Sequence, residues 1–138
     1  MTSSLTFALD VYFHHATFTP HPPRILQEAP CIELATFYST EEGFLENVDK
    51  FRKALDEAKP DGYYGFASGG VVEELRREGK NDNGQAVVLC VAWASKEAHL
   101  KFRDAELFKE NIWLLREKQG GVVMVGFLAS YIEVRVLT

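Results

Sequence analysis

The run Ala86-Val-Val-Leu-Cys-Val-Ala-Trp93 constrains this chain more than any other segment. It is eight residues long and apolar throughout, with Asn83-Gly84 before it and Ser95 after it. That length and those flanks specify a strand. A strand of an open antiparallel sheet alternates apolar and polar residues, because one face is wet. This strand carries no charged side chain, and Val122 to Leu128 carries none either. Both faces of the sheet must therefore be covered. Helices can cover one. A second copy of the sheet is the economical cover for the other, since two-fold homodimers are the commonest oligomers.

The remaining elements fall in order around this run. Cys31-Ile-Glu-Leu-Ala-Thr-Phe-Tyr38 reads as a first strand. Ser39 or Thr40 can cap the helix that follows, with Glu41 and Glu42 favourable in its first turn. Phe44, Val48, Phe51 and Leu55 recur on one helical face, and Pro60-Asp61-Gly62 ends the helix. Gly62 to about Leu75 predicts a second strand, bent or bulged near Gly69-Gly70. Asn83-Gly84 supports a positive-φ turn, so the second and third strands form a hairpin with a mobile loop from Arg76 to Gly84. Ser95 caps a second helix running towards Lys118. One straight helix would set Lys109 among Ala98, Phe102, Ala105 and Ile112, so the spacing predicts two segments meeting near Asp104. Gly120-Gly121 ends that region, and Val122 to Val136 predicts a long final strand.

The order β-α-β-β-α-β is the ferredoxin-like pattern, an α+β fold with a four-stranded antiparallel sheet. Pro20, Pro22, Pro23 and Pro30 mark an extended connector. They divide an N-terminal arm, residues 1–30, from a domain over residues 31–138. In the arm Leu5, Phe7, Leu9, Val11 and Phe13 alternate with other residues, which predicts an extra strand or a docked extended segment.

Composition removes whole classes of function. The chain has 138 residues, enough for one domain, and a net charge of −5 without a basic stripe. Nucleic acid is therefore not an expected partner. No run of 18 apolar residues is present, so no membrane partner is expected. Asp10 interrupts the only N-terminal apolar run and no basic segment precedes it, so no signal peptide is expected. Cys31 and Cys90 have neither metal spacing nor a disulfide framework, and read as reduced thiols of a cytoplasmic protein. His14, His15 and His21 lack a cysteine or carboxylate at ligand spacing, so no metal is expected there. Nucleophile-elbow, P-loop, H-E-x-x-H and dinucleotide motifs are missing too, and no cofactor is implied.

A few residues can carry chemistry. His99 lies in the first turn of the second helix, near Phe102. It can serve as general base or acid, or lock the helix start by bonding to Glu97, Ser95 or backbone. Trp93 can wall an aromatic pocket and donate one hydrogen bond, or simply pack. Tyr63 and Tyr64 begin a strand on opposite faces, so at most one faces a pocket. Tyr38 ends the first strand similarly. Glu33 sits between Ile32 and Leu34. It is a candidate base if it faces an apolar pocket; near the sheet edge it is merely solvated or pairs with a basic residue such as Arg135. Glu133 carries the same alternatives.

Trp93-Ala-Ser95-Lys-Glu97-Ala98-His99-Leu-Lys-Phe102 resembles the W-x-S-x-E-A-H-x-x-F strand-to-helix signature of dimeric α/β-barrel proteins. The resemblance is nearest to the fungal antibiotic-biosynthesis-monooxygenase-like group. It spans about residues 31–136 in element order and 93–108 in residue detail. It implies a homodimer pairing sheet against sheet, with a small-molecule pocket between sheet and helices in each subunit. It further implies a small cofactor-independent enzyme of secondary metabolism, acting on an aromatic or polyketide-like intermediate by oxygenation, cyclisation or isomerisation. In that reading His99 is the catalytic base and a tyrosine the orienting donor, with Trp93, Tyr63, Tyr64, Tyr38, Phe102 and Glu33 around the substrate. The alternatives are a non-catalytic dimer that binds a small molecule or partner, and a haem-binding or haem-degrading member.

Overall fold

An N-terminal hairpin, β1 (Thr2–Leu9) and β2 (Tyr12–Thr17), precedes the main body in this computed structural model. The structure describes residues 2–9, 12–18, 29–128 and 135–137, with side chains over 15–18 and 29–124. The body runs β3 (Cys31–Tyr38), α1 (Phe44–Ala58), β4 (Tyr63–Gly70), β5 (Ala86–Trp93), α2 (Lys96–Arg103), α3 (Glu106–Asn111), α4 (Trp113–Arg116) and β6 (Gly121–Leu128). A last short strand, β7 (Arg135–Leu137), pairs with β1. The main sheet has the order β4-β5-β3-β6 and every pair is antiparallel. This is the ferredoxin-like arrangement expected from the element order.

The apolar stripe of α1 is buried as spaced: Phe44, Val48, Phe51 and Leu55 all pack into the core against β3, β4 and β5. Its cap differs from expectation. The helix starts after Gly43, with no side-chain cap and Glu46 as the acid of its first turn. Ser39 and Thr40 are engaged elsewhere. The Ser39 hydroxyl accepts from the Asn83 N–H at 3.1 Å, and the Thr40 N–H donates to the Gln85 carbonyl at 3.1 Å. The second helical region follows the reading closely. Ser95 caps α2 by accepting from the Ala98 N–H at 3.1 Å, and α2 ends at Asp104.

The stretch from Arg76 to Gly84 is tied at several points rather than loose. The Asn83 side-chain amide donates to the Thr40 carbonyl at 3.0 Å. Arg77 grips Asp82 with its backbone N–H at 2.9 Å, Nε at 2.8 Å and Nη2 at 2.7 Å. These bonds pull the Asp82 carboxyl down to about 2, from an ordinary value of 3.8. A depressed carboxylate stabilises the fold above its unfolded value and loses that contribution as pH falls through the folded one. Wild-type protein should therefore lose this tie between about pH 4 and pH 2. Asp82→Asn should be less stable than wild type at pH 7 and equally stable near pH 2, as read from thermal midpoints across pH. A midpoint difference that does not shrink on acidification would refute the assignment.

The second strand was expected to bend at Gly69-Gly70. The register shift lies instead between Tyr63 and Gly65. Gly69 serves a different purpose: a Cβ there would stand 1.6 Å from the Thr17 carbonyl oxygen and 2.5 Å from its carbon. The arm thus crosses the sheet in van der Waals contact with the β4 backbone.

Two further expectations are corrected. Leu5 to Phe13 is not one strand but parts of β1 and β2. Their register sets Leu9 opposite Tyr12 and Ala8 opposite Phe13, so a single period-2 count does not run through. The long final strand is likewise two: β6 belongs to the main sheet and β7 to the N-terminal one, with 129–134 outside the described residues.

The uncharged β5 is buried along its whole length. Val87, Leu89, Val91 and Trp93 face the helices. Val88, Cys90 and Ala92 face the other way and pack with Ile32, Leu34 and Ala67 under Ala16, Phe18 and Ala29. The second cover, assigned above to another copy of the sheet, is supplied here by the chain's own arm. The arm is also fastened at its edge. The Val72 N–H donates to the His15 carbonyl at 2.7 Å, and His15 pairs with Glu73 through its backbone N–H at 2.8 Å and its ring Nδ1 at 2.5 Å.

Candidate active site

Alternation along β3 puts Glu33 on the same face as Ala35 and Phe37, towards the helices. Because β3 is an interior strand, this face is the core side and not a wet edge. Glu33 meets His99, which α2 brings over the sheet from its first turn: His99 Nδ1 lies 2.7 Å from Glu33 Oε2. Both side chains are largely buried, 9% and 14% exposed respectively. The expected alternative of a solvated Glu33 near the sheet edge gives way to a buried carboxylate beside an imidazole. The Arg135 side chain and Glu133 lie outside the described residues.

This pair is in the wall of a cavity of about 250 Å³ between sheet and helices. Leu89, Val91 and Trp93 contribute from β5, and Phe102, Phe108 and Leu115 from the helical side. Trp93 is only 1% exposed and forms the centre of an aromatic cluster. Its ring is 5.7 Å from Tyr63, 5.6 Å from His99 and 5.2 Å from Phe102. Gly62 helps place this cluster, since it has φ 79 and a Cβ there would stand 2.6 Å from Ala98 Cβ. A side chain at 62 would push α2, and His99 with it, away from the sheet.

Two polar atoms of the wall are unspent. The buried Trp93 indole N–H has no acceptor among the described residues. Gln119 Nε2 donates to the Leu115 carbonyl at 3.1 Å, while its buried Oε1 accepts from no described group. Buried groups left in this state are uncommon and call for a partner such as a ligand.

The structure brings Glu33, Trp93, His99 and Phe102 together and leaves the three tyrosines outside the wall. Tyr63 lies on the helix side, but its ring packs on Trp93 and its hydroxyl donates to Asp56 at 2.7 Å. Burial foremost, and then the Asp56 carboxylate, raise its phenol well above the usual tyrosine range. Tyr64, at the register shift, is more than half exposed. Tyr38 faces the opposite side of the sheet and is buried there, with the Arg77 guanidinium 5.0 Å from its ring. None of the three tyrosines is in the wall, whereas Trp93, with its indole N–H unpartnered among the described residues, is.

Sequence reading missed Arg103, Arg116, Gln119 and Met124, which also line the cavity. Arg103 had a visible cue, standing four residues after His99 and so one helical turn beyond it. The others come from α4, the turn after it and β6, whose placement over the cavity no local pattern announces. Among the arm histidines, His15 is the Glu73 partner, while the His14 side chain and His21 lie outside the described residues. Among the described residues no group of three metal-ligating side chains occurs, and no helix is long and apolar enough to cross a membrane. Cys31 and Cys90 are free and buried, and burial is the main cause that raises both thiols.

No family model and no curated protein matches the chain. Solved structures similar to it are ferredoxin-like and antibiotic-biosynthesis-monooxygenase proteins. One is described as an antibiotic biosynthesis monooxygenase, at 13% identity over 73% of this chain and 98% of that one, with a TM-score of 0.49. SnoaB, a cofactor-independent oxygenase from Streptomyces nogalater, is 13% identical over 70% of this chain and 92% of its own, with a TM-score of 0.47. A dimeric ferredoxin-like protein of unknown function from Jannaschia sp. CCS1 is 17% identical over 71% and 97%, with a TM-score of 0.48. At such identities and scores the likeness says nothing about activity, and the strand order above stands without it. What the comparisons add is a description of the neighbours: proteins of ferredoxin-like fold, oxygenases among them, to which this chain is similar.

Proposed function

We propose that the protein is a small cofactor-independent enzyme that removes a proton from an aromatic or similarly unsaturated substrate enclosed between sheet and helices. The Glu33–His99 pair in the cavity wall carries this reading. The Glu33 carboxylate, 2.7 Å from His99 Nδ1, favours a proton on that nitrogen, and in this reading Nε2 is the base. Nε2 takes the proton from an acidic C–H or O–H, and the electron pair stays on the substrate as an enolate or phenolate. Glu33 then stabilises the imidazolium, and the Trp93 N–H is a donor for the developing oxyanion. Apolar walls exclude water and strengthen each of these interactions. Oxygenation by molecular oxygen, ring closure or isomerisation can each proceed from that carbanion, within a cytoplasmic secondary-metabolic route. An apolar cavity of about 150 Å³ accepts benzene, so the present one suits one or two fused rings better than a four-ring macrocycle.

The test is deuterium exchange at the acidic carbon of 2-tetralone, a bicyclic ketone, followed by NMR in heavy water. The protein should accelerate exchange well above buffer, and His99→Gln should abolish the acceleration. Exchange at the buffer rate with wild-type protein would sink the proposal.

The assembly belonging to this reading is a homodimer, joined at β6 rather than through the face that the arm covers. β6 is an edge strand, and Val122, Val123 and Met124 on it are each 43–50% exposed. Exposed apolar edges of this kind invite pairing with another chain. Sedimentation equilibrium should give a dimer that Val123→Lys dissociates. A stable 15.6 kDa wild-type monomer at micromolar concentration would overturn it.

A further inference from the structure

We infer that the molecule this cavity receives is an aromatic carboxylate, whose anionic group is held by Arg103 and Arg116 while its ring lies against Trp93 and His99. The inference rests on the enclosed-substrate reading above and adds the chemical class of the ligand.

Five arginines have described side chains. Three are paired: Arg52 with Asp49 and Asp56, Arg76 with Glu74, and Arg77 with Asp82. Arg103 and Arg116, both solvent-exposed, pair with no carboxylate among the described residues, and they are the described arginines that line the cavity. Acceptors are not scarce, since the chain has 20 acidic residues and a net charge of −5. Among the described residues the only carboxylate in the cavity wall, Glu33, is already beside His99. Among the described residues the wall thus carries two guanidinium groups and one carboxylate, in a protein that is acidic as a whole.

The two guanidinium groups come from the last turns of α2 and α4. A cation near a helix C-terminus also complements the helix dipole. That role is served equally by Lys101, which lies outside the cavity wall. A guanidinium differs from an ammonium in presenting a planar fork that matches a carboxylate. The unspent indole N–H of Trp93 supplies a further neutral donor within the same enclosure.

Calorimetric titration with 2-naphthoate and with 2-naphthamide, its neutral isostere, decides the matter. Naphthoate should bind about tenfold more tightly than the amide, the scale of one hydrogen bond to a charged group. Arg103→Gln and Arg116→Gln should each erase most of that preference and leave amide binding unchanged. Lys101→Gln should alter neither ligand, and His99→Gln should retain the preference. Equal affinity for the two ligands, or a preference that survives both arginine substitutions, overturns the inference and leaves the proton-transfer reading in place. Binding of neither ligand overturns the inference and the enclosed-substrate reading together.

Discussion

His99→Ala should lower turnover about 10²–10⁴-fold, the usual loss when a general base is removed, while the protein remains folded. His99→Gln should lose the same activity and keep more of the stability, because an amide is polar, fills more of the site than alanine and can donate to Glu33. Glu33→Gln is the companion change. It leaves the imidazole in place and removes the charge that, in the proposed mechanism, stabilises its protonated form. A smaller rate loss than for His99→Ala is expected, with the pH–rate profile displaced. The rival role for this pair is structural. Losing a structural hydrogen bond costs about 0.5–1.5 kcal/mol of stability, and activity per folded molecule hardly changes. Rate and thermal midpoint measured on the same samples separate the two. A His99→Ala protein that melts lower yet catalyses exchange normally assigns the pair to structure.

Gly69→Ala should release the N-terminal arm from the sheet. The added Cβ would meet the Thr17 backbone at 1.6 Å, a distance that only displacement of a whole segment relieves. Gly70→Ala is a close control, because a Cβ there meets nothing within 4 Å. Displacing the arm uncovers Ile32, Leu34, Val88 and Cys90 and withdraws Phe18 from its fully buried site. Burying a phenylalanine side chain is worth about 1.5–3 kcal/mol, so Gly69→Ala should cost at least that much. Cys90 offers a direct readout. It is fully buried beneath the arm, and burial also raises its thiol, so in wild type it should resist thiol reagents. In a Cys31→Ser background, Gly69→Ala should make Cys90 react with such reagents in native buffer while Gly70→Ala does not. A Cys90 that stays protected, together with an unchanged thermal midpoint, would show that the arm does not seal this face.

The two corrections with most consequence share one physical origin. Strand β5 announces in its composition that both its faces are buried, yet burial does not say by what. A second copy and a folded-back arm satisfy the same apolar demand, and the choice lies in contacts between residues 16–18 and 67–92. Local patterning cannot express a contact between segments so far apart. The single stripe read through Leu5 to Phe13 failed similarly. Period 2 is a property of one strand, and the register of a hairpin restarts the count on its second arm.

Of the candidate site, His99, Trp93 and Phe102 came from one strand-to-helix segment, where capping by Ser95 and helical spacing set their relative positions before any tertiary contact forms. Glu33 was visible as a charge inside a strand, but its partner was not, since 66 residues separate it from His99 and only the antiparallel pairing of β3 with β5 closes that gap. The tyrosines failed because strand parity names a face and not an occupant: Tyr63 is spent on Asp56, and Tyr38 faces the arm side of the sheet. By itself, then, the amino-acid order determined the main elements of the body and their succession, and with them the ferredoxin-like sheet β4-β5-β3-β6, because periodicity, caps and turns act over short range. Only the tertiary structure decided which carboxylate faces the imidazole, which arginines line the cavity and what lies over the far side of the sheet, because each depends on packing between segments distant in the chain.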